Sequence, residues 1–266
     1  MRLASLSLIA ALLLAALPFA GPAAAAPATP ICGKLQVEAT RYTVCRAAPD
    51  EIGLHWRDAR GRPYRSFGAL AAGLREQGGK LVFAINAGMY DTDFRPIGLH
   101  VEDGETLVKL NSGEAPPGQT PVPNFYKKPN GVFFVADGRA GILTAEAYAA
   151  TAPAARIATQ SGPMLVIGGQ LHPALIPGGT DRTRRSGVGV CGEGEGEGEV
   201  VFAISDGAVN FYDFALLFRD RLGCPDALFL DGGRGAGIHD PALGRNDTSW
   251  HGGYGPMLAV ADAAAD

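Results

Sequence analysis

The stretch from Leu228 to Gly237 constrains the fold more than any other part of this chain. It reads Leu-Phe-Leu-Asp-Gly-Gly-Arg-Gly-Ala-Gly, an apolar run that ends on the carboxylate of Asp231 and continues into glycines. This pattern predicts a buried strand that opens into a tight loop, because glycine permits backbone conformations and close approaches that a side chain would block. A loop of this kind delivers one fixed acid to a cleft. We therefore expect Asp231 to lie at the centre of the functional site.

The N-terminus has the pattern of a secretory signal peptide. Arg2 precedes an apolar run over residues 6–19, and the alanines at 23–25 supply a small-residue cleavage site. The run is too short for a comfortable membrane span. We expect residues 1–25 to be removed on export and the mature protein to be periplasmic or secreted, with no stable membrane span.

The composition argues against one class of partner and indicates a fold rich in loops. The formal net charge is -4, and arginine and lysine are scattered rather than arranged in a stripe. Nucleic acid is therefore not expected as a partner. The 37 glycines and 19 prolines supply many turns, while 47% hydrophobic residues are enough to form a core. The oligomeric state is left open.

The four cysteines predict disulfides, because export places them in an oxidising compartment. Three pairings are possible. The pair Cys32–Cys45 is local and would link a hairpin near the mature N-terminus, which leaves Cys191–Cys224 as the complementary pair. A metal site is less well supported, since the cysteines lack C-x-x-C spacing and no histidine lies near them.

The pattern of apolar residues predicts strands with a few helices. Residues 34–58 alternate with a period of two, which predicts antiparallel strands with one buried face. Ser66 is expected to cap a helix, and Asn210 a second one. The continuous apolar run at 81–85 predicts a buried strand that ends at Asn86. The polar segment 237–251 is typical of a loop at the rim of an active site.

Several polar residues beside these elements have two open interpretations each. Asn86 either binds a sugar hydroxyl or phosphate oxygen, or adopts a turn conformation. Lys128 and Asn130 are compatible with a sugar or polyanion site and equally with a plain turn. Ser161 lacks the G-x-S-x-G context of a nucleophile, which favours a hydrogen-bonding role. His172 precedes a proline and is interpreted as structural.

The densest cationic point of the chain is the segment 181–186, which contains Arg184 and Arg185. It is either a solvated loop or a clamp for phosphate or carboxylate. The planar guanidinium fork suits phosphate oxygens. The position just before a predicted buried strand favours the clamp.

Five short stretches occur together in an order that resembles the phosphodiester glycosidase family, in particular its bacterial exported branch. They are Asn-Ala-Gly-Met-Tyr at 86–90, Lys-Pro-Asn-Gly-Val-Phe at 128–133, Gln-Ser-Gly-Pro-Met-Leu at 160–165, Arg-Ser-Gly-Val-Gly-Val at 185–190 and Leu-Asp-Gly-Gly at 230–233. The resemblance runs from about Leu81 to Val260. Two departures stand out, since Arg234 and Gly235 replace the Gly-Ser that often ends the last motif, and Ala-Gly-Met-Tyr replaces Gly-Gly-Phe-Phe in the first.

The resemblance implies an α+β fold, with a single domain built on a curved mixed β-sheet, hairpins and a few helices. On that basis residues 26–80 are the N-terminal strands and helix of the domain, and residues 81–262 its core. It further implies cleavage of a sugar-1-phosphodiester at the sugar side, with a carbohydrate phosphodiester from envelope glycans or their precursors as substrate. Motif matching assigns catalysis to Asn86, Arg185 and Asp231. Substrate binding is assigned to Ser161, Gly232, Gly233, Arg184, Lys128 and Asn130.

The hypothesis gives each catalytic residue a role. Arg185, helped by Arg184 or Arg234, holds the phosphate. Asp231 acts as base, nucleophile or charge stabiliser, and Asn86 orients sugar or water. A standard glycosidase also needs a second carboxylate, for which Asp206, Asp181 and Glu102 are the candidates.

Two alternatives remain open at this point. The first is a non-catalytic envelope glycan-binding protein of the same fold, an idea encouraged by Arg234. The second is a metal-dependent hydrolase that uses Asp231, Asp206 and either His239 or His251. No cofactor is expected, although Ca²⁺ held by carboxylate and backbone oxygens is compatible with so many loops.

Overall fold

The computed structural model describes residues 31–192 and 198–263. The expected signal peptide, residues 1–25, lies outside the described residues. Within them, seventeen strands form three sheets with few helices, which confirms the α+β class and the single domain.

The element bounds follow the chain. The strands are β1 (Cys32–Val37), β2 (Thr40–Ala47), β3 (Ile52–His55), β4 (Gly79–Asn86), β5 (His100–Glu102), β6 (Glu105–Val108), β7 (Gly131–Ala136), β8 (Arg139–Thr144), β9 (Ile157–Ser161), β10 (Met164–Ile167), β11 (Gln170–Leu171), β12 (Arg185–Cys191), β13 (Glu199–Ser205), β14 (Asp226–Gly232), β15 (Ile238–Asp240), β16 (Arg245–Asn246) and β17 (Met257–Ala263). The helices are α1 (Phe67–Glu76), α2 (Ala145–Thr151) and α3 (Phe211–Leu216), and a π-helical turn at Leu217–Arg221 continues α3. Single 3-10 turns lie at Pro49–Glu51, Asn124–Tyr126 and Gly233–Gly235.

The three sheets share one apolar core. The first sheet has the order β1-β2-β13-β12-β14-β10-β11, the second β16-β15-β4-β17-β3, and the third β6-β5-β9-β7-β8. Val188 from the first sheet, Phe83 from the second and Phe133 from the third belong to the same buried cluster. Burial of these apolar faces against one another supplies the main driving force for the fold.

One helix covers the outer face of each sheet. Phe67 of α1 packs on the second sheet, Tyr148 of α2 on the third, and Phe214 of α3 on the first. Strands such as β14 therefore have both faces buried, with Leu228 in the shared core and Phe229 beneath α3. This explains why these strands are continuous apolar runs in the sequence rather than alternating ones.

The expectation of one curved mixed sheet needs correction in its detail. Every pairing between the described strands is antiparallel, and the strands are divided among three sheets. Parallel neighbours need a crossover of a dozen or more residues, usually a helix. The three short α-helices in the described part of the chain cover outer faces instead, so hairpins and antiparallel returns connect the strands.

The local predictions near the N-terminus are confirmed. Cys32 and Cys45 face each other in the β1–β2 register and form a disulfide. The Ser66 hydroxyl accepts a hydrogen bond from the Ala69 N–H at 3.1 Å and caps α1. Both signals depend on a few neighbouring residues, which is why the sequence alone reveals them.

The second half of the chain also follows its local signals. Asn210 caps α3 by accepting from the Asp213 N–H at 2.7 Å, and Cys191 pairs with Cys224. The segment 237–251 differs from the expected loop, because it contains the short strands β15 and β16, and β15 pairs with β4. No helix in the described part of the chain is long and apolar enough to cross a membrane.

The topology brings the motif-bearing strand ends together. In the first sheet, β12 lies beside β14 with Arg185 opposite Gly232 and Ser186 opposite Asp231. A bulge between Ser186 and Gly187 interrupts this register. Bulges change the direction of side chains at strand ends, and this one lies directly beside Asp231.

Candidate functional site

Asp231 lies at the end of β14, where hydrogen bonds from two serines hold the strand. The Ser186 hydroxyl donates to the Asp231 carbonyl at 3.0 Å and accepts from the Asp231 N–H at 3.3 Å. The buried Ser161 hydroxyl donates to the Leu230 carbonyl at 2.7 Å. Ser161 therefore has the hydrogen-bonding role that its sequence context favours. Its expected contact with substrate stays a prediction.

Desolvation dominates the electrostatics of Asp231. Burial raises the pKa of its carboxyl to about 7, while the Gly232 N–H, which donates to Oδ1 at 2.7 Å, lowers it. The residue keeps partial solvent access. A carboxyl with a pKa near 7 exchanges a proton readily at neutral pH, which suits general acid or base chemistry.

Residues 232–237, which we call the glycine loop, contain four glycines that leave room for this carboxylate. A Cβ on Gly235 would lie 2.0 Å from Asp231 Oδ2, and one on Gly237 would lie 2.1 Å from the Tyr254 hydroxyl oxygen. Gly233 has a φ of 59°, in the left-handed region, and its N–H donates to the Arg184 carbonyl at 2.8 Å. The loop therefore requires glycine for close approach at two positions and for backbone conformation at a third.

Asn86 joins the second sheet to the glycine loop. Its side-chain oxygen accepts from the Gly237 N–H at 3.0 Å, and its Nδ2 donates to the Ala87 carbonyl at 3.2 Å. The side chain is fully buried. The structure thus gives Asn86 a positioning role for the loop that follows Asp231. Its orientation of sugar or water stays a prediction.

The guanidinium of Arg185 lies over Phe211, with its Cζ 3.5 Å from the ring centroid. Arg185 Nε donates to the Val209 carbonyl at 2.9 Å, and Nη2 contacts the Asp181 carboxylate at 3.2 Å. Arg185 does not contribute to the pKa shift of Asp231. The two residues occupy neighbouring strands, but their charged groups have separate surroundings.

Arg184 contacts the segment after the glycine loop. Its Nε donates to the Ser205 carbonyl at 3.2 Å, Nη1 donates to the Ala236 carbonyl at 3.4 Å, and Nη2 pairs with Asp247. Arg234 is exposed. Arg184 therefore supports the loop, while Arg234 faces solvent close to Asp231 in the chain.

Lys128 and Asn130 occupy different surroundings. The Lys128 ammonium pairs with Glu114 at the surface. Asn130 is buried, and its Nδ2 donates to the Phe125 carbonyl at 2.9 Å. Their assignment to substrate binding stays a prediction for both.

Each candidate second carboxylate is paired at another place. Asp206 lies 2.8 Å from Arg245 Nη1, and Glu102 lies 2.6 Å from His100 Nε2. Asp181 pairs with Arg185. None of these three contributes to the pKa of Asp231, so the geometry supplies no second acid from this set.

The contact between Tyr90 and His251 was not predicted from the sequence, where His251 was a candidate only for a metal site. The Tyr90 hydroxyl lies 3.0 Å from His251 Nε2 and donates to the Gly253 carbonyl at 3.1 Å. Burial raises the pKa of Tyr90, and the charge of Asp231 raises it further, so the two groups are neighbours. The available signal was the position of Tyr90 at the end of the first motif.

Asp247 was also missed. Its carboxylate accepts from the Ile238 N–H at 3.1 Å and from Arg245 Nη2 at 2.9 Å, and it pairs with Arg184. It thus fixes the chain just beyond the glycine loop. Only its place in the polar segment 237–251 pointed to it.

The residues named for a metal site do not assemble into one. Among the described residues no three His, Cys, Asp or Glu side chains are grouped to hold a metal ion. His239 contacts Asn246 and His251 contacts Tyr90, while Asp206 lies with Arg245. A separate cavity of about 920 Å³, lined in part by Arg46, Phe83 and Asp262, contains none of the predicted site residues.

Comparison with known proteins decides the family. The phosphodiester glycosidase (NAGPA) family model matches residues 79–255, more than half of the chain. The chain belongs to the phosphodiester glycosidase family. Uncharacterized protein YigE of Escherichia coli (strain K12) is 36% identical over 193 residues, covering 72% of this chain and 70% of that protein. The resemblance seen in the motifs is therefore confirmed.

Solved structures share the fold of this phosphodiester glycosidase family member. The catalytic domain of zebrafish N-acetylglucosamine-1-phosphodiester alpha-N-acetylglucosaminidase, auto-inhibited by its pro-peptide, matches with a TM-score of 0.59 and 14% identity, over 88% of this chain and 84% of that chain. A hypothetical protein from Synechocystis matches with a TM-score of 0.51 and 16% identity, over 86% of this chain and 61% of that one. At these identities the likeness concerns the fold.

Proposed function

We propose that the protein is an exported hydrolase that cleaves a glycosyl phosphodiester at the sugar side, in envelope glycans or their precursors. Family membership supports this reaction class. The single observation that carries the proposal is Asp231, whose desolvated carboxyl has a pKa of about 7. A group with this pKa takes up and releases a proton at the pH where the protein would work.

The leaving group explains how one carboxylate suffices. A phosphate monoester leaves as an anion and needs less protonation than an alcohol, so the demand for a second acid falls. In the proposed step water attacks the anomeric carbon, the bond from that carbon to the phosphate oxygen breaks, and Asp231 accepts the proton of the water. The phosphate monoester departs with the bonding electrons. The products are the free sugar and the phosphate monoester.

The other residues support this step. Asn86 and Asp247 hold the C-terminal end of the segment that follows Asp231, through the adjacent residues Gly237 and Ile238. Gly235 leaves room for the carboxylate. Arg185 supplies a buried cation on the neighbouring strand, opposite Gly232, and is our phosphate contact. Position and electrostatics, rather than covalent chemistry, then account for most of the rate.

Two features support export. The N-terminal pattern indicates a signal peptide. Two disulfides, Cys32–Cys45 and Cys191–Cys224, suit an oxidising compartment such as the periplasm.

Turnover of sugar-1-phosphodiesters in water enriched with ¹⁸O tests the proposal. We expect free reducing sugar that carries the label, a phosphate monoester without it, and no inorganic phosphate. Asp231→Asn should lower kcat by about 100- to 10,000-fold. Asp226→Asn, at the opposite end of β14, is the matched control, since its Oδ1 only accepts from the Gly168 N–H. Label in the phosphate, or full activity of Asp231→Asn, would overturn the assignment.

A non-catalytic glycan-binding protein is the second candidate. The observation that favours it is the absence, among the described residues, of a second carboxylate that acts on Asp231. This candidate predicts that the purified protein binds envelope glycans and releases no sugar from any phosphodiester tested. The same turnover assay therefore separates the two functions.

A further inference from the structure

One buried nitrogen of Arg185 is unpaired within the part of the chain that the structure describes. Its Nε and Nη2 are both engaged, by the Val209 carbonyl and by Asp181. Nη1 is buried and has no hydrogen-bond partner among the described residues. Buried polar groups are nearly always paired in native proteins. An unpaired nitrogen on a fully buried guanidinium therefore points to an acceptor beyond the described residues, such as a bound anion.

Asn210 presents a second unpaired donor next to Arg185. Its Oδ1 is occupied by the Asp213 N–H at 2.7 Å, which identifies the remaining atom as the Nδ2 amide. This Nδ2 is buried and has no partner among the described residues. Asn210 lies between Val209, which accepts from Arg185, and Phe211, whose ring underlies the guanidinium.

His172 adds a third donor. The Ala174 N–H donates to His172 Nδ1 at 3.1 Å, so the neutral ring carries its hydrogen on Nε2. Burial lowers the pKa of the ring, and the Lys128 backbone raises it by a smaller amount. No acceptor within the described residues meets hydrogen-bond geometry at Nε2. The side chain is buried.

Lys127 lies close to both Arg185 and His172. Its ammonium lies 5.2 Å from the centroid of the Phe211 ring that also carries Arg185. The charge of Arg185 acts on Lys127, and the charge of Lys127 acts on His172, so these groups are close. The Lys127 ammonium also donates to Asn124 Oδ1 at 2.7 Å. Asp181 is mostly exposed and supplies the one negative charge that pairs with Arg185. The positive charges of Arg185 and Lys127 and the negative charge of Asp181 leave one net positive charge.

We propose that these side chains form a pocket for the phosphate group of a phosphodiester. The pocket, which we call the anion pocket, consists of Lys127, His172, Arg185 and Asn210. Its three unsatisfied atoms, Arg185 Nη1, Asn210 Nδ2 and His172 Nε2, are all donors, which argues against a cation, and they come from three separate segments of the chain. Donors converging from several sides suit tetrahedral phosphate oxygens better than a planar carboxylate. A phosphodiester carries the single negative charge that matches the remaining positive one.

The inference extends the role proposed for Arg185, and it rests on the proposed function only where it assigns the phosphate to the substrate. Arg185 pairs in register with Gly232, the residue after Asp231. The anion pocket and Asp231 therefore lie at the same end of β12 and β14. This arrangement suits a substrate whose phosphate and sugar are joined directly.

Direct binding of small anions tests the anion pocket without turnover. The probes are dimethyl phosphate, inorganic phosphate and acetate, titrated by calorimetry into the full mature protein. We expect dimethyl phosphate to bind and acetate to bind more weakly. If inorganic phosphate binds while dimethyl phosphate does not, the site takes free phosphate and the assignment to a phosphodiester is overturned. Tighter binding of acetate would overturn the choice of phosphate.

Variants that keep the fold sharpen the test. Asn210→Asp retains the oxygen that caps α3 but replaces the free donor by a negative charge, so we expect affinity to fall about tenfold or more. Asn210→Ser keeps a capping oxygen and removes the donor without adding charge, which covers the case where the first variant fails to fold. Lys127→Gln should also weaken binding. The exposed changes Asn246→Asp and Lys109→Gln make the same changes in net charge and should have no effect.

The outcomes separate the anion pocket from the catalytic proposal. Unchanged affinity in Asn210→Asp would overturn the anion pocket even if the enzyme cleaves phosphodiesters. Binding of dimethyl phosphate that depends on Asn210, in a protein that releases no sugar, would keep the anion pocket and overturn the proposed hydrolysis.

Discussion

The side-chain oxygen of Asn86 lies 3.0 Å from the backbone nitrogen of Gly237 and accepts its hydrogen bond. The backbone of Asn86 donates in return to the Gly237 carbonyl at 3.2 Å. These two bonds connect the last residue of β4 in the second sheet to the glycine loop, which begins in the first sheet. The position of Asp231 therefore depends on a residue from another sheet.

Replacement of Asn86 tests this connection. Asn86→Ala leaves the buried Gly237 N–H without its side-chain acceptor, so we expect the free energy of unfolding to fall by about 1–3 kcal/mol. Misplacement of the loop should lower kcat about 10- to 100-fold. Urea denaturation and initial rates measure the two effects. Asn246→Ala, at an exposed position, is the control, and an unchanged kcat for Asn86→Ala would contradict the positioning role.

Gly235 tests how closely the glycine loop surrounds the carboxylate. In Gly235→Ala the new Cβ would lie 2.0 Å from Asp231 Oδ2, so the carboxylate has to move. We expect kcat to fall about 100-fold. Gly68→Ala in α1 is the control, since a Cβ there meets nothing within 4 Å and helix propensity should slightly raise stability. Equal activity of the two variants would argue against the described loop geometry.

The pKa of Asp231 predicts how activity and stability depend on pH. As a base Asp231 must be ionised, so kcat should rise with pH through an apparent pKa near 7. The folded state binds this proton more tightly than the unfolded state, whose pKa is near 3.8. The contribution of Asp231 to stability is therefore most favourable below about pH 4 and declines as pH rises to about 7, by at most about 1.4 kcal/mol per pH unit.

Comparison of Asp231→Asn with the parent protein isolates the contribution of Asp231 to the pH dependence of stability. The variant should gain stability relative to the parent as pH rises from 4 to 8, measured by chemical denaturation at each pH. A constant difference across that range would mean that the carboxyl keeps its ordinary pKa.

The two disulfides should contribute unequally to stability. Cys191–Cys224 closes 33 residues and Cys32–Cys45 closes 13. Chain entropy in the unfolded state then favours the longer loop by about 0.8 kcal/mol, and each bond is worth about 2–4 kcal/mol. We expect Cys191→Ser/Cys224→Ser to lower Tm more than Cys32→Ser/Cys45→Ser. Thermal unfolding of both double variants measures this, and the reverse order would show that native-state packing outweighs the entropy.

Predictions that rest on local sequence signals are confirmed by the structure. The cap at Ser66, the disulfide of the β1–β2 hairpin and the strand that leads into Asp231 each depend on a few consecutive residues. Their physical causes are hydrogen-bond capping, alternation of side chains along a strand, and the conformational freedom of glycine. These causes act within one element, so a single sequence is enough to detect them.

Properties that depend on contacts between distant elements could be found only from the structure. Arg185 and Asp231 lie on adjacent strands, but their side chains have different neighbours: Arg185 contacts Phe211, while Asp231 lies near Tyr90. The second acid expected among Asp206, Asp181 and Glu102 is not beside Asp231, because each of these carboxylates has a cationic or imidazole partner of its own. Pairing of this kind is set by the fold.

The sequence by itself determined the family, the α+β class, the disulfide pairing that was favoured, and the strand end that carries Asp231. Only the tertiary structure decided that the strands form three antiparallel sheets, that Asn86 holds Gly237, and that the carboxyl of Asp231 has a pKa of about 7. The physical reason is that desolvation and hydrogen bonding sum over all atoms around a group. Those atoms come from segments that are far apart in the chain.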